Sequence, residues 1–245
     1  MRSPTSLARL AILGALGLGA LLSLAGLAGF SAPAWAESPE SFSERLAAAA
    51  LERTRHAVTY DGQYRALRYP GGDVPASTGV CTDVVIRSYR ALGIDLQKEV
   101  HEDMRAHFSA YPANWGLSRP DSNIDHRRVP NLQTFFARKG QALLLSHDPL
   151  DPSDYLPGDL VTWRVSGSLP HIGIIAEARS TDGERPLVVH NIGSGPKRED
   201  MLFDYPITGH YRYAPEAPQA PGALPPKTTV QRSHSRPIRT EPPSR

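Results

Sequence analysis

The chain has 245 residues, 27 of them basic and 25 acidic, for a formal net charge of +2, and it contains one cysteine. Charge this evenly balanced supplies no basic field for gripping a phosphate backbone, so nucleic acid is not expected as a partner. A single cysteine excludes an internal disulfide framework.

Residues 1–36 read as a secretory signal peptide. Arg2 and Arg9 precede an apolar run from Leu10 to Phe30, and Ala34-Trp35-Ala36 supplies the small residues of a cleavage site. A run of this length also suits a membrane anchor, but its Gly and Ala content and the A-x-A site favour cleavage after Ala36. The expectation is a mature protein with no membrane span, in the periplasm or outside the cell. Residues 214–245 hold eight Pro, five basic and two acidic residues and almost no large apolar side chains, so they are expected to remain disordered. Between these ends, residues 37–213 are enough for one core and carry 20 basic against 23 acidic groups.

The spacing predicts a helix over 39–55, capped by Ser38 with Pro39 in its first turn and with Phe42, Leu46, Ala49 and Ala50 on one face. Residues 59–79, rich in Tyr, Gly and Pro, read as an irregular loop leading to Cys81. From Thr82 to Leu92 the pattern is helical again, closed by Gly93-Ile94. Further helices are predicted over 97–109 and from Pro130 to Gly140, with a polar loop over 111–129 between them. After Pro157-Gly158, the runs Leu160–Trp163, His171–Ile175, Pro186–His190 and Tyr211–Tyr213 read as strands of an antiparallel sheet.

An unpaired thiol in an exported chain is either a small buried hydrophobe or a reactive group. Cys81 stands at a helix start, where the backbone dipole favours the thiolate. His171 begins a strand whose alternation aims one set of side chains at the Cys81 helix, and His190 ends the next strand, where it can accept the other ring proton of His171. Asn191 is the substitute for that orienting role. Nucleophile, base and orienting group are what amide hydrolysis by cysteine needs. His101 and His107 do not share a helix face, and Arg105 occupies the i+4 place that a zinc motif gives to His, so neither metal nor organic cofactor is expected.

These residues carry a resemblance. Gly79-Val80-Cys81-Thr82-Asp83 leading to Tyr89-Arg90-Ala91-Leu92-Gly93-Ile94, then Pro157-Gly158-Asp159-Leu160-Val161, His171-Ile172-Gly173-Ile174 and Val188-Val189-His190, resemble the motifs of NlpC-type cell-wall peptidases. The runs Tyr69-Pro70-Gly71-Gly72-Asp73-Val74-Pro75 and Asn123 to Leu132 are similar to an exported bacterial family known only as a domain of unknown function. The resemblance implies an α+β, papain-like fold, with a Cys-bearing helix packed on an antiparallel sheet and a helical insertion between Gly93 and Gly158. It also implies a Cys81-His171-His190 site acting on an amide of peptidoglycan stem or cross-link peptides. Tyr69, twelve residues before Cys81, resembles the family's oxyanion-side tyrosine. The neighbours Val80, Thr82 and Asp83 differ from the Asp and Ser-Gly that usually flank the nucleophile, which leaves the substrate less defined than the reaction.

Two other groups have open readings. Asp159 fits a turn-fastening role better than a chemical one. Asp83, Asp125, His126, Arg127 and Arg128 are candidates for binding substrate carboxylates, against the alternative of a solvated loop with local ion pairs. Non-catalytic wall binding or inhibition, and amide or ester chemistry on another envelope molecule, remain alternatives to wall hydrolysis.

Overall fold

In the computed structural model, residues 40–145 and 152–215 are described, and they belong to a unit that begins at Glu40. The expected signal peptide and nearly all of the expected tail lie outside the described residues. Helix α1 (Phe42–Arg53) starts three residues later than Ser38 and Pro39 suggest, because Ser41 and Glu44 form a reciprocal capping box. The Ser41 hydroxyl accepts from the Glu44 N–H at 3.2 Å, while the Glu44 carboxylate accepts the Ser41 N–H at 2.7 Å. Leu46, Ala47 and Ala50 form its buried face.

The long loop that follows is closed at its neck by two short parallel strands, β1 (Thr59–Tyr60) and β2 (Thr78–Gly79), with Tyr60 opposite Gly79. Helix α2 (Cys81–Ala91) then begins at the cysteine itself. Val80 has no side-chain oxygen to cap it; the Asp83 carboxylate reaches back instead and accepts the Val80 N–H at 2.7 Å. Gly93 takes the left-handed conformation, φ +83°, and lets the Ile94 N–H return to the Tyr89 carbonyl, as the Gly-Ile signal predicts. Helices α3 (Leu96–Ala106) and α4 (Val129–Lys139, Pro130 in its first turn) make up the insertion, with one-turn 3₁₀ segments at Phe108–Ala110 and Asp125–Arg127.

Six strands form one antiparallel sheet. They are β3 (Gln141–Ala142), β4 (Leu160–Val165), β5 (Leu169–Arg179), β6 (Pro186–His190), β7 (Lys197–Glu199) and β8 (Ile207–Arg212), in the spatial order β3-β8-β4-β5-β6-β7. The architecture is therefore mixed α+β, with four α-helices among the described residues. No helix among them is long and apolar enough to cross a membrane.

Alternation gives the sheet two apolar faces. Leu160, Ile172, Ile174, Ala176 and Val189 pack with the helices and with Cys81. Val161, Trp163, Val165, Ile175 and Val188 pack on the other side, under Met201 and Leu202. The side-chain set of β5 that faces α2 is thus Ile172, Ile174 and Ala176; His171 lies with the opposite set, its ring 6.0 Å from that of Trp163. The expectation that strand alternation aims His171 at the helix is corrected accordingly. Gly173 shares the His171 side of the strand, and a Cβ there would come within 2.6 Å of Val188 Cγ1 and 3.2 Å of His190 Cβ.

Asp159 fastens the Pro-Gly-Asp turn. Its carboxylate accepts the Leu156 N–H at 3.0 Å and the Arg212 Nε–H at 2.7 Å, and it lies 2.9 Å from His210 Nε2. The buried position of this group favours the structural reading of Asp159.

Candidate active site

Cys81 is 4 % exposed and sits where the start of α2 meets the side of β5. The backbone N–H groups of Ile172, Thr82 and Cys81 point at its sulfur. Burial outweighs them, and the thiol is pushed up to about 11. The low thiol pKa expected from the helix start is therefore corrected: desolvation of a buried sulfur exceeds what three N–H dipoles return.

The residue whose main chain touches the sulfur is the neighbour of His171. His171 Nε2 lies 3.0 Å from His190 Nδ1, and His190 Nε2 lies 2.9 Å from Glu199 Oε2. Burial holds both imidazoles below their ordinary range, His171 down to about 3, with the like charge of His190 adding to the effect. His171 Nδ1 makes no hydrogen bond among the described residues. An ionised carboxylate can only accept, so His190 carries its proton on Nε2. Neutral His190 then presents a bare Nδ1, which accepts from His171 Nε2–H. This leaves the lone pair of His171 on Nδ1, the tautomer of a general base.

Asn191 does not enter this chain. Its side-chain amide donates to the Gly79 carbonyl at 3.4 Å and its oxygen accepts the Gly193 N–H at 3.1 Å, so it ties the end of β6 to the strand before Cys81. Tyr69 is also elsewhere, its ring packed edge-on at 4.9 Å against His101 of α3. The tyrosine on the sulfur's side is Tyr60, whose phenol is close enough to Cys81 and Asp83 to feel both. Burial, then the charges of Cys81 and Asp83, push the Tyr60 phenol up to about 12, which keeps it a donor. The parallel pairing of β1 with β2 puts it there, opposite Gly79.

The proposed carboxylate-binding group is internal rather than open to ligand; the local ion pairing of the alternative reading is present between Asp125 and Arg128, but Asp125, His126 and Arg127 are buried rather than solvated. Arg127 grips Asp83 with two hydrogen bonds, Nε to Oδ1 at 2.9 Å and Nη2 to Oδ2 at 2.8 Å, the two side chains being 2 % and 3 % exposed. Its remaining donors reach the carbonyls of Asp61 and Gln63, and its own carbonyl accepts from Thr82 Oγ1. Arg128 pairs with Asp125 at 2.9 Å and lies 4.0 Å over the Trp115 ring. His126 is buried with Nδ1 unpartnered, and desolvation followed by the Arg127 charge brings it down to about 4. The insertion therefore holds the first turn of the Cys81 helix and the loop that carries Tyr60.

A family model described as "domain of unknown function (DUF1287)" matches residues 47–213. The chain belongs to the DUF1287 family. It is 51 % identical over 168 residues to a protein of Escherichia coli (strain K12) named uncharacterized protein YijF, covering 69 % of this chain and 80 % of that relative. The DUF1287 match begins inside α1 and ends just past β8, so it takes in Tyr60, Cys81, Asp83, Arg127, His171, His190 and Glu199.

Two members of this DUF1287 site have weak sequence signals. Tyr60 depends on a two-residue parallel pairing that no periodicity announces, and Glu199 lies on a three-residue strand after a Gly-Ser-Gly turn. A carboxylate within ten residues of His190, on a segment able to fold back, was the available clue to Glu199.

Proposed function

We propose that this protein is an exported, papain-like cysteine hydrolase of the NlpC type, which cuts an amide bond of peptidoglycan stem or cross-link peptides. The observation that carries the reading is the hydrogen-bonded line His171-His190-Glu199 ending one residue from the main chain that touches Cys81. A Cys-led helix packed on an antiparallel sheet supports the papain-like assignment, and the apolar N-terminal run with its A-x-A site supports export.

In this mechanism the proton of the Cys81 thiol passes to His171 Nδ1 through one water, because the His171 side chain stands on the face of β5 away from α2, as the sulfur attacks the amide carbonyl. The neutral resting pair fits such a transfer, in which charge separates only as substrate reacts. The Cys81 N–H and the Tyr60 hydroxyl stabilise the oxyanion. The C–N bond breaks as His171 returns the proton to the leaving amine. Water then attacks the thioester, losing its proton to His171, and the acyl group leaves as a carboxylic acid with the thiol restored.

The test is product analysis by mass spectrometry after incubating purified peptidoglycan with the wild type and Cys81→Ala. Peptides released by the wild type alone are the expected result; equal release by both refutes the nucleophile. A second reading, a wall-binding or inhibitory protein on the same fold, draws on the burial of the thiol. It predicts wall capture without turnover and alkylation at pH 7 that His171→Ala leaves unchanged. The hydrolase reading expects His171→Ala to slow alkylation about tenfold or more, through loss of the base.

A further inference from the structure

Beside the site lies a cleft of about 340 Å³ between the end of α1, the flank of α2 and the β6–β7 turn. Gly79 and Val80, the two residues before Cys81, form part of its wall, as does Asn191, which follows His190. Its floor is apolar, from Val58, Val84 and Pro196, and its rim is basic.

The charges on that rim do not cancel. Asp73 is shared by two arginines, Arg87 Nε at 3.0 Å and Arg90 Nη1 at 2.9 Å from the same oxygen, while Asp95 stands 3.8 Å from Arg90. Asp83, the other acid of the cleft, is consumed by Arg127. Arg53 makes no side-chain hydrogen bond and no ion pair among the described residues, yet its Nε is shielded from solvent. A buried guanidinium N–H with no acceptor is costly, and the planar fork of arginine matches a carboxylate. A helix-end position accounts for a basic residue at 53, but not for an unsatisfied Nε in a cleft wall.

We infer that this cleft is the subsite for a carboxylate-bearing part of the peptide that Cys81 attacks, with Arg53 as its anion contact and the apolar floor holding the hydrocarbon that carries it. The word "attacks" rests on the hydrolase reading above; the binding of a carboxylate does not. One free guanidinium beside an apolar floor suits an amino-acid carboxylate better than a multiply charged phosphate, which calls for several unpaired cations.

N-acetylglutamate and the neutral N-acetylglutaminamide serve as probes, titrated into the ¹⁵N-labelled intact protein and followed by calorimetry and amide shifts. N-acetylglutamate is expected to move the Gly79 and Val80 amides and to bind at least tenfold more tightly than the neutral amide. Arg53→Gln should remove that preference, while Arg105→Gln, at an exposed position on α3, should retain it. Arg53→Lys, which keeps the charge without the fork, should bind at an intermediate level and stands in if the Gln variant does not fold. Equal affinity for the two probes, unmoved Gly79 and Val80 amides, or a preference that survives in Arg53→Gln overturns the subsite. Wall peptides still released by Cys81→Ala would sink the hydrolase reading while leaving carboxylate binding intact, so the two failures are distinguishable.

Discussion

Replacing Arg127 with Met tests the claim that the insertion holds the nucleophile helix. The change keeps much of the aliphatic volume but removes the guanidinium that makes two hydrogen bonds to Asp83 at 2.9 and 2.8 Å, both side chains at most 3 % exposed. Asp83 would be left as a buried carboxylate with only the Val80 N–H. Removing one partner of a buried pair costs ~3–5 kcal/mol, a large part of the ~5–15 kcal/mol that holds a typical domain together. In Asp83→Asn/Arg127→Met the charge is gone and the amide oxygen can still cap Val80, so the double variant should recover to within about 1–2 kcal/mol of wild type. Urea unfolding followed by tryptophan fluorescence reads this as a fall in midpoint at constant slope, then its recovery. Arg127 also donates to the carbonyls of Asp61 and Gln63, so its loss loosens the loop carrying Tyr60. Iodoacetamide should then modify Cys81 faster in Arg127→Met under native conditions. A single variant within 1 kcal/mol of wild type, or a double variant no more stable than the single, would refute the reasoning.

Three further outcomes are expected. Glu199→Ala frees His190 to exchange tautomers and should lower kcat about tenfold, with the acid limb of the pH profile displaced; Glu199→Gln, whose oxygen still accepts, should recover part of the loss. Tyr60→Phe should lower kcat by about ten- to a hundredfold with little change in KM, whereas Tyr69→Phe, at the α3 surface, should leave turnover unchanged. Stability should fall as pH drops below about 6.5, because the unfolded imidazoles take protons there that folded His126 and His171 refuse until about 4 and about 3. The His126 shift alone corresponds to about 3 kcal/mol, so urea midpoints at pH 7 and pH 4.5 should differ clearly, and less so in His126→Leu. Equal midpoints would mean that these imidazoles are not buried neutral.

The elements that sequence placed well are those whose side chains repeat with a period. Helices α2 and α4 and strands β4, β5 and β6 follow runs of apolar residues bounded by Gly or Pro; Cys81 opens α2 and His190 closes β6, while His171, expected to begin its strand, is the third residue of β5, which starts at Leu169. Ser38 with Pro39 imitates a helix start, but Glu44 completes a capping box only with Ser41. The harder cases are set by long-range contact. Nothing in Asp125-His126-Arg127-Arg128 distinguishes an exposed anion site from a buried clamp until Asp83, 44 residues earlier, is known to lie against it. Tyr60 and Tyr69 are alike in sequence, and only the β1–β2 pairing selects Tyr60. The resting thiol is a related case, since helix position is readable locally and the desolvation that raises the thiol is not.

The grip of Arg127 on Asp83 also bears on how small this protein can be made. A minimal version trimmed by splicing out the segment between Gly93 and Gly158 would look reasonable on a topology diagram, because α2 and every strand of the sheet except the two-residue edge strand β3 survive the cut. It would remove the only guanidinium paired with Asp83 among the described residues, together with the two donors that anchor the Tyr60 loop. Any shortened or chimeric version must carry the Asp125–Arg127 turn along with the Cys81 helix, or change Asp83 at the same time.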